Sequence, residues 1–308
     1  MAKLVSSTPL LLSERTSARQ KRSRASANQI QLIEPISSRL GPAVVDENSQ
    51  NRVPVLRAPN TEVITHRQID LPSFLLHQGD AIAWLNSLPE ESAELVITDP
   101  PYESLEKHRS VGTTTRLKRS KASSNEWFNI FPNARFPELM ASVWRILKWN
   151  SHFYLFCDAE TMFVVKPLAE QAGFKFWKPL VWDKKRLGMG YHYRARYEFI
   201  LFFEKGKRRL TSLSIPDVIE VPRISRGYPT EKPVAVSRIL IGQSTESGAL
   251  VVDPFSGSGS VGVAALALGR QFWGNDSSET ALQVSMRRLE GTMNETMIKN
   301  ADVHSDEE

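Results

Sequence analysis

Two stretches of the chain combine residue types that chemistry can use. The first is Asp99-Pro100-Pro101-Tyr102, which follows directly on the apolar run Leu95-Val96-Ile97-Thr98. Two prolines fix the backbone at the carboxyl end of a strand, where open α/β sheets place their sites. Proline has no N–H, so the Pro100 carbonyl can be aimed outward as an acceptor beside the Asp99 carboxylate. Two adjacent acceptors match an exocyclic amine with two hydrogens, and the Tyr102 ring offers a flat face to a base. A bare Asp-Pro-Pro would otherwise read as a strand terminator with a solvated acid.

The second stretch runs Val251-Val252-Asp253-Pro254-Phe255-Ser256-Gly257-Ser258-Gly259-Ser260-Val261-Gly262. It reads as a strand, a glycine turn and a helix start. Small residues let backbone approach a ligand closely, and a helix N-terminus presents free N–H groups. A following strand, Phe272-Trp273-Gly274, ends in Asn275-Asp276, close to the roughly 20-residue separation at which an acid meets a ribose diol. Gly257, Gly259 and Gly262 also fit G-x-G-x-x-G, which raises a nicotinamide-dependent dehydrogenase as a rival. An acid at Asp253, directly before the glycines, repels a pyrophosphate and suits a cationic ligand. That favours S-adenosylmethionine, which carries a sulfonium, an amino-acid end and a ribose.

With both stretches in view, residues 73–290 resemble the class beta DNA amino-methyltransferases, in which the catalytic motif precedes the cofactor motif. Gly79-Asp80, Leu88-Pro89 and Asp99-Pro100-Pro101-Tyr102 resemble that family's opening, and Val143-Trp144-Arg145-Ile146-Leu147-Lys148 its helix before the central strand. Tyr197-Glu198-Phe199-Ile200-Leu201 with Lys205-Gly206 resembles its later strand, and Pro229-Thr230-Glu231-Lys232-Pro233 the approach to its cofactor half. Trp273-Gly274-Asn275-Asp276 departs from the family, where a small or apolar residue often stands before the acid.

The resemblance implies a cofactor site of Asp80, Lys232, Asp253, Phe255, Ser256, Gly257, Ser258, Gly259, Ser260 and Asp276, with Asp80 near the adenine. It implies catalysis by Asp99, Pro100, Pro101 and Tyr102 on the 6-amino group of an adenine flipped out of double-stranded DNA. S-adenosylhomocysteine would be the product, with no metal. Asp at position 99 resembles adenine enzymes, although the physics serves a cytosine amine equally. An inactive DNA-binding regulator is a further alternative; the intact Asp99 and Tyr102 argue against it.

These loops need a scaffold. Seven short apolar runs, near Phe74, Leu95, Phe153, Leu180, Phe199, Leu250 and Gln271, read as strands covered on both faces. Helical periods between them include Phe136, Leu139, Val143, Ile146 and Leu147. The expected fold is α/β: a doubly wound, mostly parallel, seven-stranded, Rossmann-like sheet. The expected domains are a basic, flexible arm at 1–60, a catalytic domain at 61–295 and an acidic tail at 296–308.

The chain has 308 residues and a mild net charge of +5, so charge matters only where it clusters. Six basic and no acidic residues fall within 107–121: Lys107, Arg109, Arg116, Lys118, Arg119 and Lys121. Directly after the catalytic motif, within a DNA-contacting loop expected at 103–126, they suit phosphates beside a flipped base. Lys184, Lys185, Arg186 and Arg194 are a second basic group, in a candidate target-recognition region at 184–228. That region is short, so recognition shared with the arm or with a second subunit is expected, and with it a homodimer. Cys157 stands alone, which excludes an intrachain disulfide, and lies in an apolar strand as a core thiol. No apolar run reaches membrane length and no signal peptide is recognisable, so the expected location is the cytoplasm of a prokaryote or phage host, at the nucleoid. None of the six histidines sits in a metal-ligand spacing.

Overall fold

A computed structural model describes residues 73–104, 129–188, 193–225, 228 and 230–305. The expected N-terminal arm and Lys107, Arg109, Arg116, Lys118, Arg119 and Lys121 lie outside the described residues. The elements in chain order are β1 (Phe74–Gln78), α1 (Ala81–Ser87), β2 (Ala93–Thr98), a single 3₁₀ turn (Asn133–Arg135), α2 (Phe136–Ile146) and β3 (Leu147–Cys157). They continue as α3 (Ala159–Gln171), β4 (Lys175–Asp183), β5 (Tyr197–Lys205) and β6 (Val218–Glu220). The last are α4 (Val234–Ser244), β7 (Leu250–Asp253), α5 (Ser260–Ala267), β8 (Gln271–Asp276) and α6 (Glu279–Ser305). The backbone of α6 thus runs on into the segment expected as an acidic tail.

Each of the seven apolar runs forms a strand. An eighth, β6, joins the edge beside Val181–Asp183; its three residues are too short for alternation to show. The spatial order is β1-β8-β7-β2-β3-β5-β4-β6. Only β5 runs against its neighbours β3 and β4.

Successive strand residues point to opposite faces, and both faces are buried. Val96, Phe153, Leu155 and Val252 join α1, α2 and α3 in one core through Leu85, Leu139, Val143 and Val165. Leu95, Ile97, Tyr154, Phe156 and Val251 join the other core with Val236, Leu240, Val261 and Leu289 of α4, α5 and α6. α2 shows why these residues form a helix. Pro137 fits its first turn, and Phe136, Leu139, Met140, Val143 and Ile146 recur on one buried face. Burying each of these contributes about 1.5–3 kcal/mol, and Leu139→Ala would remove about 2–5 kcal/mol.

The chain leaves β2 through α2 toward β3 on one side, and leaves β7 through α5 toward β8 on the other. β2 and β7 are themselves paired in parallel, with Leu95 opposite Val251 and Val96 opposite Val252. This is a topological switch point, where loops at the strand carboxyl ends diverge and leave a crevice.

Candidate active site

Both motif loops open into that crevice. A cavity of about 590 Å³ is lined from one side by Asp99–Tyr102 and from the other by Asp253–Ser258, with Asp80, Lys232 and Asp276 at its walls. The two strand tips therefore share one end of the sheet and one cavity.

The glycine side is fixed largely by hydrogen bonds to backbone and neutral groups. Gly257 and Gly259 take positive φ values of 51° and 78°, a region that disfavours side chains. A Cβ on Gly259 would collide with Ser285 Oγ, and one on Gly262 would meet the Phe272 ring at 2.5 Å. These glycines let α5 start directly beneath the loop and pack closely on β8. The Gly257 N–H donates to Asp276 Oδ2 at 2.9 Å, and the Ser278 N–H donates to Asp276 Oδ1 at 2.8 Å. Burial raises the Asp276 pKa above the ordinary carboxylate range.

Asp253 is almost fully buried. Its Oδ1 accepts from Thr98 Oγ1 and from the Phe255 N–H, each at 3.0 Å, so it ties the two strand tips together. Burial pushes its pKa up to about 8, against the pull of those donors. Phe255 packs edge-on against Phe131 with ring centres 5.1 Å apart. The Ser256 N–H donates to the Asn275 carbonyl at 2.8 Å, while its buried hydroxyl has no partner among the described residues.

On the proline side, the Pro101 carbonyl accepts from the Phe131 N–H at 2.7 Å, and Tyr102 forms a single bridge to Phe131. Among the described residues nothing bonds the Pro100 carbonyl. The Tyr102 ring is buried at the cavity wall, and desolvation, aided by nearby acids, raises its phenol pKa. Asp99 Oδ2 receives the Lys232 ammonium, which also lies 3.3 Å from Glu198 Oε2. The other Glu198 oxygen, Oε1, takes the Lys184 ammonium. Burial raises the Asp99 pKa, opposed by Lys232. Burial alone would lower that of Lys232, but the two carboxylates outweigh it and hold the ammonium above its usual range. Glu198 is held below the usual range, because Lys232 and Lys184 outweigh its burial.

Asp80 caps α1 through Oδ1, which accepts from the Ile82 and Ala83 N–H groups at 3.2 and 3.0 Å. Arg135 grips both its oxygens, at 2.6 and 2.9 Å, and holds its pKa down to about 2. Lys184 sits in the cavity wall on Glu198, whereas Lys185 pairs with Glu220 at 2.5 Å. Arg186 reaches Ser225 Oγ at 3.3 Å, and Arg194 Nε donates to the Gly188 carbonyl at 2.7 Å. Cys157 is a buried core thiol whose pKa burial raises, so it is no thiolate nucleophile. Among the described residues no group of His, Cys, Asp and Glu is arranged to hold a metal, and no helix is long and apolar enough to cross a membrane.

Three site residues lie outside the motif reading. Glu198 is the acid that opens the apolar strand β5. Arg288, on α6, donates to the Ser258 carbonyl and hydroxyl at 2.8 and 2.9 Å and pairs with Glu231 at 2.9 Å. Asn275 Nδ2 donates to the Gly79 and Pro254 carbonyls, both at 3.1 Å, and so ties the β1 and β7 loops together. Glu198 was visible as a charge inside a hydrophobic run. Arg288, on a polar helix, gave no signal.

Known proteins share this arrangement. The family model described as DNA methylase (N6/N4) matches residues 93–221 and 211–287. The putative methylase YubD of Escherichia coli K12 is 30% identical over 215 residues, covering 69% of this chain and 88% of that protein. The DNA adenine methyltransferase YhdJ of the same organism is 26% identical over 252 residues, covering 69% and 81%. The DNA modification methylase TTHA0409 of Thermus thermophilus, solved with S-adenosyl-L-methionine, superposes with a TM-score of 0.53 at 21% identity, covering 71% of this chain and 93% of that one. The family match takes in both strand-tip loops and most of the sheet that carries them, and on that ground the chain belongs to the N6/N4 DNA methylase family.

Proposed function

We propose that the chain moves a methyl group from S-adenosylmethionine to the exocyclic 6-amino group of an adenine turned out of double-stranded DNA. The observation that carries this reading is the convergence of Asp99 and the Asp253–Ser258 loop on one cavity from paired strands. The adenine activity named for YhdJ and the ligand named for TTHA0409 support the same reading.

The cavity residues fit the cofactor. The close Gly259–Ser285 approach lets the loop backbone line the pocket, and the unpartnered Ser256 hydroxyl offers a donor inside it. Phe255, Ser256, Gly257 and Ser258 would hold it, with Asp276 at the ribose. Bound S-adenosylmethionine supplies an activated methyl group on a cationic sulfur. Asp253 faces that cation from the strand tip, and a neighbouring positive charge favours its ionised form.

At the other tip, Asp99 and the Pro100 carbonyl accept the two hydrogens of the amine. This draws the nitrogen toward a tetrahedral shape, aims its lone pair at the methyl and stabilises the positive charge that grows there. Tyr102 bounds the base pocket. Lys185, Arg186 and Arg194, with the basic residues of 107–121, would meet phosphates and set register on the duplex. Recognition is shared between 184–228, 103–126, the arm at 1–60 and a second copy in a homodimer.

Mapping modified bases in DNA from cells that express the chain tests the reading. It expects 6-methyladenine in one fixed sequence context. Methylcytosine in a fixed context would move the reaction to the cytosine amine, and unmodified DNA would end the proposal.

A further inference from the structure

Asp99 is surrounded by charges from several elements. Lys232 approaches from the segment before α4, Glu198 from β5 and Lys184 from just beyond β4, while Asp253 lies at the tip of β7. The Tyr102 phenol and the Cys157 thiol complete its titratable surroundings. Asp99, Lys232, Glu198 and Lys184 form a chain of alternating sign whose side chains are each about a quarter exposed or less. Lys232 occupies Asp99 Oδ2, and among the described residues nothing bonds Oδ1.

We infer that Lys232 and Glu198 are positioning residues for Asp99: the ammonium pins Oδ2, leaves Oδ1 to the target amine, and is itself held from behind by Glu198. This rests on the methyl-transfer reading and changes the expected role of Lys232 from cofactor contact to partner of the catalytic carboxylate. The two charges act on Asp99 with opposite sign. Without Lys232, a buried carboxylate loses its counter-ion and ionises only at higher pH. Without the Glu198 charge, a like charge opposing ionisation is gone, and Asp99 ionises at lower pH.

The test is single-turnover methyl transfer to unmethylated DNA as a function of pH, for the wild type, Lys232→Met and Glu198→Gln. Affinity for S-adenosylhomocysteine and thermal melting are measured on the same samples. The acid limb of the rate should move up by about one pH unit or more in Lys232→Met, with rate recovered as pH rises, and down in Glu198→Gln. Affinity for S-adenosylhomocysteine should stay within about threefold in both, because neither charge needs the cofactor. Limbs that stay put, or that move in the same direction, overturn the inference. So does a Lys232→Met protein that loses S-adenosylhomocysteine with its limb unmoved. Should Lys232→Met not fold, the direction of the Glu198→Gln shift decides. A wild type that moves no methyl group ends both the reading and the inference, whereas an active wild type with unshifted variants ends the inference alone.

Discussion

On the β7–β8 side of the cavity, loops are tied mainly by hydrogen bonds to backbone and to an amide. Asn275 binds two neighbouring loops, and Asp276 accepts from two backbone N–H groups. On the β2 side, Asp99 is held by an ion chain drawn from distant parts of the sequence. Directional bonds to backbone change little with pH or occupancy, so the glycine side is built before any ligand arrives. Buried charges are costly unless paired, and their balance shifts whenever a neighbour is added or removed. One side is a mould, and the other an electrostatic setting that a substrate can alter.

The largest effect should come from breaking the electrostatic side. Asp99→Ala removes the acceptor and should lower methyl transfer on the order of 1,000-fold while calorimetry finds S-adenosylhomocysteine bound as before. Lost cofactor binding would show that the two sides are not separable. On the moulded side, Gly259→Ala forces a methyl against Ser285 at an unfavourable φ. Cofactor affinity should fall roughly 10- to 100-fold, and an unchanged Kd would mean that the loop is not a close-fitting wall.

Asp253 joins both sides and sharpens the contrast. Its folded pKa, about 8, lies above its unfolded value, so the folded state holds the proton more tightly and stability from this group falls as pH rises from about 4 to about 8. Asp253→Asn stays neutral and keeps an oxygen for Thr98 and the Phe255 N–H. Relative to wild type, it should gain about 1–3 kcal/mol of stability between pH 5 and pH 8 yet bind S-adenosylmethionine more weakly. Denaturant melts at the two pH values, paired with equilibrium binding, check both parts. The smallest effect lies outside the cavity. Arg186→Ala and Arg194→Ala should each weaken DNA binding only a few-fold and flatten its dependence on log salt by about one unit. A variant that instead abolishes transfer belongs to the site and not to the rim.

The sheet was largely legible because its strands are continuous apolar runs bounded by turn chemistry, and both loops announced themselves through Pro100-Pro101 and Gly257-Ser258-Gly259. β6 was not, since Val218–Glu220 holds too few residues for a period. Lys184 looked like one member of a basic surface group, and only the fold shows it against Glu198. Asp80 looked free to meet a ligand, whereas Arg135, more than fifty positions along, grips both oxygens. Such pairings depend on which loops the strand order brings together, and local sequence carries no record of that.

The pairing of β1 with β8 has a consequence for how the protein is made. Phe74 lies beside Phe272 and Gln78 beside Asp276, so the first described strand finds its hydrogen-bonding neighbour only when the last one exists. A growing polypeptide leaving the ribosome must carry Phe74–Gln78 unpaired while nearly two hundred further residues are synthesised. Non-local pairing of this kind slows folding and leaves a bare edge open to other chains. A nascent chain arrested before Gln271 therefore holds a sheet without its final rib, exposed to aggregation and to proteases.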